Sequence, residues 1–396
     1  GRTGMQKHGG IWLALLLALL LALLAAALLA PVAAMASEPK GIPIDADHFP
    51  DYNFWRYVKG FCDGDGDGYL SPDEIKNVTG IDIYNKEIKD LTGIRYFTAL
   101  KTLNCGSNNI TALDVSGCTA LETLLCEQSK TGITKLDVSG CTSLKTLQCT
   151  HSFLSSLDAS GCAALETLQC DANRLTSLDV SGCASLSTLY CYSNQLTALD
   201  VSDCAALRTL QCYNNKLTAL DVSGCAALSY LECKGNSLTA LDVSKNAALE
   251  TLNCGANPLT ALDVSGCTAL ETLYCTDSRP TSLNVSGCTA LDTLNCNNNS
   301  LTSLDVSGNT ALGRLGCAEN QLTSLDVSAN RGLTYLACGD NQLATLDVAK
   351  NTELRSLYCY NNQLTTLDVT KNEKMDWLIC RDQNVLLEVE RRPDDT

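Results

Sequence analysis

The chain has 396 residues, with 23 cysteines, only 3 histidines, and 28 basic against 44 acidic residues, for a formal net charge of −16. So few histidines argue against histidine-based catalysis and Cys/His zinc sites, and an acidic chain argues against nucleic acid as a partner. Aromatic residues make up 5% of the chain and apolar residues 45%, so we expect a core of Leu, Val, Ala and Cys.

Residues 1–36 are predicted to be a secretion signal, in which residues 1–4 look like vector or misassigned-start sequence. Lys7 precedes an unbroken apolar stretch at 11–30, and a small-x-small motif ends at Ala36, as at a signal-peptidase site. Cleavage there would send the mature chain out of the cell, secreted or surface-exposed, without a transmembrane segment. Because twenty apolar residues can also span a bilayer, an uncleaved membrane anchor is the alternative.

Residues 37–77 are predicted to form a small helical cap that contains a calcium loop. Residues 63–74 follow the twelve-residue EF-hand pattern, with Asp at the first, third and fifth positions, Gly at the sixth and Glu at the twelfth. Ca²⁺ takes six to eight oxygen ligands, which such a loop wraps around one point. The predicted ligands of one structural Ca²⁺ are the carboxylates of Asp63, Asp65 and Asp67, the backbone carbonyl of Tyr69, the hydroxyl of Ser71 or a water on it, and both carboxylate oxygens of Glu74.

The residues on both sides of this loop predict helices. Phe54, Val58 and Phe61 recur with helical spacing before the loop, which is typical of an entering helix. Ser71 and Glu74 stand three residues apart after it, a spacing that also forms a capping box. Glu74 therefore has an alternative role as a helix cap, although capping alone would not require three alternating aspartates.

The cysteines reveal an internal repeat. One unit has Leu207, Leu210, Cys212, Asn215 and Leu217 at the positions of a leucine-rich repeat, with Cys in place of the third Leu. Fourteen cysteines share the position of Cys212, at intervals of 21 residues except for one of 23: Cys105, Cys126, Cys149, Cys170, Cys191, Cys212, Cys233, Cys254, Cys275, Cys296, Cys317, Cys338, Cys359 and Cys380. An earlier coil without Cys fits the apolar residues from Val78 to Ile88.

This repeat predicts an α+β repeat protein: the helical cap followed by a solenoid of about 15 coils with one parallel β-sheet over residues 78–390, and then a polar tail at 391–396. Stacking coils aligns equivalent side chains into ladders. Asparagines at the position of Asn215 recur in most coils, and we expect their amides to satisfy backbone groups where the chain turns.

A second cysteine ladder lies in the other half of each coil, at Cys118, Cys141, Cys162, Cys183, Cys204, Cys225, Cys267 and Cys288. Five coils have Asn instead, at Asn246, Asn309, Asn330, Asn351 and Asn372, so a small, partly polar group must fit there. We predict buried thiols in both ladders, because stacked Cβ atoms about 4.8 Å apart exceed the separation that a disulfide prefers. Scattered disulfides and a bound metal are the alternatives.

The repeat unit, Leu-x-x-Leu-x-Cys-x-x-Asn followed by Leu-Asp-Val-Ser, resembles the cysteine-ladder leucine-rich repeats of internalin J-like bacterial surface proteins. The resemblance covers about 300 residues. It implies a curved solenoid, a helical EF-hand-like cap before the repeats, and a role in attachment at the cell surface.

The strand positions on either side of the inward Leu and Cys are expected to face outward, and aromatic residues cluster there. Exposed aromatic clusters on a rigid surface are typical of binding sites. The predicted ligand-binding face consists of Tyr190, Tyr192, Tyr213, Tyr230, Tyr274, Tyr335, Tyr358, Tyr360 and Trp377. Aromatic packing that only stiffens the sheet is the alternative.

A column of aspartates, one in each Leu-Asp-Val-Ser segment, is predicted to hydrogen-bond the following turn, with a cation-binding stripe as the alternative. Asn284 favours the hydrogen bonds, because it keeps the acceptor without the charge. We therefore predict a secreted or surface-exposed, adhesin-like binding protein that recognises a protein or a glycan, and no enzyme. A structural spacer without a ligand is the alternative function.

Overall fold

The computed structural model describes residues 40–127, 131–383 and 388–390. The predicted signal at 1–36 and the polar tail at 391–396 lie outside these ranges. Within them, no helix combines the length and the apolar character that crossing a membrane requires. The domain boundaries at 37–77 and 78–390 stay predictions.

The first elements form a cap of two helices and a short hairpin-like sheet. Helix α1 spans Tyr52–Phe61 and helix α2 spans Pro72–Asn77, with strand β1 (Ile42–Pro43) antiparallel to strand β2 (Tyr69–Leu70). A 3₁₀-helix at Ile94–Tyr96 follows in the first coil.

A parallel sheet of 15 strands forms one side of the solenoid, and its strands are hydrogen-bonded in chain order. They are β3 (Gly80–Asp82), β4 (Thr102–Asn104), β6 (Thr123–Leu125), β8 (Thr146–Gln148), β10 (Thr167–Gln169), β12 (Thr188–Tyr190), β13 (Thr209–Gln211), β14 (Tyr230–Glu232), β15 (Thr251–Asn253), β17 (Thr272–Tyr274), β19 (Thr293–Asn295), β20 (Arg314–Gly316), β21 (Tyr335–Ala337), β22 (Ser356–Tyr358) and β24 (Trp377–Ile379). The predicted leucine-rich solenoid is confirmed.

The Leu-Asp-Val segments on the other side of some coils also pair as parallel two-stranded sheets. The pairs are β5 (Ala112–Asp114) with β7 (Lys135–Asp137), β9 (Ser156–Asp158) with β11 (Ser177–Asp179), β16 (Leu262–Asp263) with β18 (Leu283–Asn284), and β23 (Thr366–Asp368) with β25 (Glu388–Glu390).

The register of the main sheet follows the repeat period. Leu189 lies opposite Leu168 on one side and Leu210 on the other, so equivalent residues align from coil to coil. These central leucines are fully buried, and so is Cys191 two residues after Leu189. Burial raises the pKa of the Cys191 thiol to about 12, which keeps the thiol neutral inside the apolar core.

The asparagine ladder makes the predicted hydrogen bonds. The Asn194 amide nitrogen donates to the carbonyls of Cys170 (3.1 Å) and Cys191 (3.0 Å), and its Oδ1 accepts from the backbone N–H of Leu175 (2.9 Å). Ser193, just before it, adopts a left-handed conformation with φ 54°. One side chain therefore hydrogen-bonds the buried backbone groups of the turn and joins that turn to the preceding coil.

The second ladder confirms the exchange of cysteine and asparagine. The Cys183 thiol donates to the carbonyls of Ala159 (3.4 Å) and Cys162 (3.7 Å) of the preceding coil. The Asn246 amide makes the equivalent bonds, to the carbonyls of Val222 (3.0 Å) and Cys225 (2.9 Å). Both residues are donors to the same two backbone groups of the turn.

The cap closes the apolar end of the stack, where Ile81 and Ile83 are buried as expected. The Asp51 side chain caps the N-terminus of α1, and its second oxygen accepts from the backbone N–H of Lys89 in the first coil (2.8 Å). Gly93 lies so close to the cap that a Cβ there would meet the Phe49 ring at 2.5 Å.

Helix α1 confirms the entering helix that Phe54, Val58 and Phe61 predicted, since all three lie within it. Phe54 and Val58 are fully buried, whereas Phe61, its last residue, is 78% exposed and lies against Tyr57, with ring centroids 4.9 Å apart.

The two cysteine ladders are expected to tolerate the substitution of Cys by Asn to different extents. Cys183→Asn should change the free energy of unfolding by less than about 1 kcal/mol, because the new amide can donate to the two carbonyls that the thiol contacts. Cys191→Asn should destabilise by about 3 kcal/mol, because it places an amide among buried leucines. Urea denaturation followed by circular dichroism measures both; equal losses in the two variants would contradict the different roles of the ladders.

Candidate functional site

The outward-facing strand positions form three columns along the sheet. We call them the first, second and third columns, represented by Thr209, Gln211 and Tyr213 around the inward Leu210 and Cys212. All nine predicted aromatic residues lie in these columns. Only Tyr274 (38%) and Trp377 (65%) among them are exposed, while the other seven are half-buried. The prediction of broadly exposed aromatic clusters is therefore wrong for the seven, because the rings and their neighbours cover one another.

Four of these residues, Tyr190, Tyr192, Tyr213 and Tyr230, form an N-terminal tyrosine group. The rings of Tyr192 and Tyr213 stack with centroids 4.4 Å apart and planes at 4°. The Tyr230 hydroxyl donates to the Glu232 carboxylate (3.3 Å), and the same carboxylate forms an ion pair with Lys234 (3.0 Å).

A buried carboxylate lies beside this group. Asp171 is 3% exposed and interacts with Tyr192, the ring that stacks on Tyr213. Burial raises the pKa of Asp171 and raises the pKa of Tyr192 to about 12. Acidic side chains of the protein itself thus interact with tyrosines of this group.

The remaining five, Tyr274, Tyr335, Tyr358, Tyr360 and Trp377, form a C-terminal aromatic group. Tyr335 and Tyr358 pack with ring centroids 5.6 Å apart, and the Arg314 guanidinium lies 4.6 Å from the centroid of Tyr335. Tyr360 lies over the backbone of Gly339, where a Cβ would meet its ring at 2.7 Å.

A depression of about 140 Å³ opens in the sheet face between Tyr274 and Tyr335. Its other lining residues include Asn295, Asn297, Arg314 and Gly316, which the sequence-based prediction missed. They occupy the same three columns as the tyrosines. The sequence does contain one signal for this depression: Gly316 interrupts a column in which other coils have larger side chains.

The predicted calcium loop, residues 63–74, brings three of its six predicted ligand residues together. One carboxylate oxygen each from Asp63, Asp65 and Asp67 lies within 4.8 Å of the others, and no other group of three or more His, Cys, Asp or Glu side chains in the described part of the chain could hold a metal ion in this way. Asp63 accepts from the backbone N–H groups of Gly66 (2.8 Å) and Gly68 (3.1 Å), which holds the loop closed around the three aspartates.

Glu74 lies outside this cluster and makes the capping box. Its Oε2 accepts from the Ser71 hydroxyl and backbone N–H (2.8 Å each), while its Oε1 accepts from the backbone N–H of Gly64 (2.6 Å). Strand β2 (Tyr69–Leu70), which lies within the loop, pairs with β1. Glu74 thus ties the end of the loop to its beginning.

The aspartate column makes the predicted local hydrogen bonds. Asp158 Oδ1 accepts from the Ser160 backbone N–H (2.9 Å) and hydroxyl (2.6 Å), and these bonds lower the pKa of the Asp158 carboxyl. Asn284 accepts from Ser286 in the same way (3.1 and 2.8 Å). The equivalent bonds in both residue types support the turn-stabilising role.

Known proteins resemble this chain over most of its length. The leucine-rich-repeat family model matches residues 297–318. One solved structure is the functional domain of InlJ from Listeria monocytogenes, which includes a cysteine ladder. It is 33% identical to this chain, the match covers 84% of this chain and 78% of the InlJ chain, and the TM-score is 0.61. A leucine-rich-repeat protein of Leptospira interrogans shares the fold at 23% identity, 80% and 81% coverage, and a TM-score of 0.63.

A curated relative gives a shorter match. Internalin J from a serotype 4b strain of Listeria monocytogenes is 39% identical over 70 residues, which is 18% of this chain. The aligned stretch spans only 8% of the length of that relative.

The raised pKa of Asp171 predicts a stabilising substitution. Folding favours the protonated carboxyl, so stability falls as the pH rises from the unfolded-state pKa of about 4 through the raised folded-state pKa. Asp171→Asn keeps an acceptor without the charge and should raise the unfolding temperature at pH 7 by about 2 °C.

Thermal unfolding of this variant at pH 7 and pH 4 tests the cause, since the gain should vanish at pH 4. Glu250→Gln, which neutralises an exposed carboxylate, is the control and should change neither value. A loss of stability at pH 7 on Asp171→Asn would show that the charge is needed.

Proposed function

This chain belongs to the internalin J-like proteins with 21-residue cysteine-ladder leucine-rich repeats, and from that membership we propose that it is an adhesin-like binding protein, secreted or at the cell surface. It would recognise a protein or a glycan through the outward columns of its sheet. The exposed Trp377 ring, 65% accessible on a regular strand, is the observation that carries this proposal.

The two aromatic groups differ in what they offer a ligand. The Tyr192 ring stacks on Tyr213 and the Tyr230 hydroxyl is bonded to Glu232, so the N-terminal tyrosine group also fits the alternative function, a spacer stiffened by aromatic packing. Of the nine residues of the predicted face, only Tyr274 and Trp377 are exposed, and both belong to the C-terminal group. We therefore place recognition at the C-terminal group.

Two triple variants separate the two functions. Replacing Tyr358, Tyr360 and Trp377 with Ser should weaken adhesion to host cells or binding on a glycan array by at least tenfold, because it removes the aromatic surface. Replacing Tyr190, Tyr192 and Tyr213 with Ser is the matched control on the same sheet and should weaken binding less. Unchanged binding in both, with both folded, would favour the spacer.

We also propose that the cap holds one structural Ca²⁺. Three carboxylate oxygens within 4.8 Å repel one another unless a cation lies between them, and hard Ca²⁺ prefers such oxygen ligands. Asp63, Asp65 and Asp67 would hold the ion, with further oxygens from Tyr69, Ser71 and Glu74. The bound ion would link α1 to α2 and so fix the cap on the first coil.

Calcium binding should appear as a gain in stability. A site with the 10⁻⁴–10⁻³ M affinity of extracellular modules should gain roughly 1–2 kcal/mol in 5 mM CaCl₂ over chelator. Thermal unfolding with CaCl₂ or EGTA measures this gain. Asp65→Asn should abolish it, whereas Asp73→Asn, in the same loop but outside the cluster, should keep most of it. An equal response to calcium in both variants would contradict the site.

A further inference from the structure

We propose that the depression between Tyr274 and Tyr335 is a subsite for one acidic sugar residue, whose carboxylate binds Arg314. We call it the donor pocket; it is lined by Tyr274, Asn295, Asn297, Arg314, Gly316 and Tyr335. The inference rests on the proposed recognition function and assigns it a ligand class and a place.

The floor of the pocket exists because Gly316 has no side chain. The same second column has Gln211 and Tyr274 in other coils, and the neighbouring coil has only Ala337. A Cβ on Gly316 would meet the amide oxygens of Asn297 at 3.0 Å and Asn295 at 3.1 Å. Any larger residue would therefore fill the pocket from below.

The two asparagine amides of the pocket keep their N–H groups for a ligand. Asn295 Oδ1 accepts from the backbone N–H of Asn297 (3.2 Å), and Asn297 Oδ1 accepts from that of Ala318 (2.7 Å). Both amides thus have a fixed orientation, and within the described residues neither Nδ2 group has an acceptor. Two half-buried NH₂ groups remain for a ligand.

Arg314 supplies the charge. Its guanidinium stacks on Tyr335, and it forms no ion pair with any residue that the structure describes, unlike Arg95 and Arg355, which pair with Asp114 and Asp376. Stacking holds the guanidinium plane in place, and a planar guanidinium binds a carboxylate through two parallel hydrogen bonds. In a chain of net charge −16, this unpaired cation favours an anion.

The size and the wall favour a sugar over a peptide. A volume of about 140 Å³ is well below the ~300 Å³ of pockets for drug-sized ligands, and it suits a single ring. The exposed ring of Tyr274 borders the pocket and offers a flat apolar face for stacking. An extended peptide would need a row of side-chain pockets or a free strand edge, and this pocket is neither.

The charges elsewhere on the sheet localise the subsite. Asp171 is buried in the outward columns beside the N-terminal tyrosine group, where it would repel a carboxylate, and the Lys234 ammonium there is already paired with Glu232. Arg314 lies several coils away.

Isothermal titration of the full chain with glucuronate and with glucose tests the class of ligand. Glucuronate should bind at least tenfold more tightly than glucose, and Arg314→Gln should remove that advantage. Arg208→Gln, which removes an equal charge from an exposed position five coils away, is the control and should bind like the wild type. Equal binding of the two sugars, or an unchanged Arg314→Gln variant, would overturn the inference.

Gly316→Gln tests the pocket by filling it with the side chain that Gln211 carries in the same column, and the Asn295 and Asn297 amides must shift by a few tenths of an ångström to admit its Cβ. It should lower glucuronate affinity at least tenfold while circular dichroism shows that the protein stays folded. N-acetyl-aspartate amide, a carboxylate without a sugar ring, should compete at least tenfold more weakly; equal competition would overturn the assignment to a sugar.

The adhesion assay separates this inference from the broader function. The variant with Ser at 358, 360 and 377 leaves the pocket residues intact. Lost adhesion in that variant, together with no glucuronate binding by the wild type, overturns the subsite and leaves the recognition function standing. Glucuronate binding that depends on Arg314, with adhesion unchanged in all variants, supports the subsite and overturns the placement of adhesion at the C-terminal group.

Discussion

The side-chain amide of one asparagine per coil is the interaction on which the solenoid depends. Each 21-residue coil contains a buried turn. A backbone N–H or C=O group left there without a hydrogen-bond partner would cost about 1–3 kcal/mol of stability. Asn194 satisfies carbonyls of its own coil and of the preceding one, and it accepts from the preceding Leu175 N–H. The residue before it adopts a left-handed conformation, which costs about 1–2 kcal/mol and is offset by these bonds. The stack is therefore joined through its turns as well as through its sheet.

The period of the sequence predicted this framework because every coil repeats the same physical problem. Leu189, Cys191 and Asn194 each have equivalents 21 residues away, so the inward, buried and turn positions can be identified by alignment of the chain with itself. Partners that do not repeat could not be predicted in this way. Asp171 and Tyr192 share the third column one coil apart, so the period places them side by side, but the burial of a carboxylate and a phenol there depends on which residue types stand in that column.

The candidate sites show the same limit. Three alternating aspartates predicted a cluster, and the structure brings Asp63, Asp65 and Asp67 together. The orientation of Glu74 depends on the competition between the loop and the capping box, which the spacing alone leaves open. The donor pocket required a missing side chain at Gly316 and amides whose oxygens are already bonded. Neither property is a sequence motif.

The exchange of Cys and Asn in the second ladder follows from a balance of hydrogen bonds. An asparagine such as Asn309 donates two bonds of 2.9 Å, but its buried Oδ1 has no partner among the described residues, as also at Asn246, Asn330, Asn351 and Asn372. A thiol such as Cys183 donates weakly, at 3.4 Å, and leaves no strong acceptor unsatisfied. Asparagine thus makes two good hydrogen bonds but leaves one oxygen without a partner, whereas cysteine makes a weak hydrogen bond and leaves no such oxygen. The two residues therefore contribute similar free energies at this position. Either residue can fill the turn, which is why the ladder changes from cysteine to asparagine toward the C-terminus without any change in the coil.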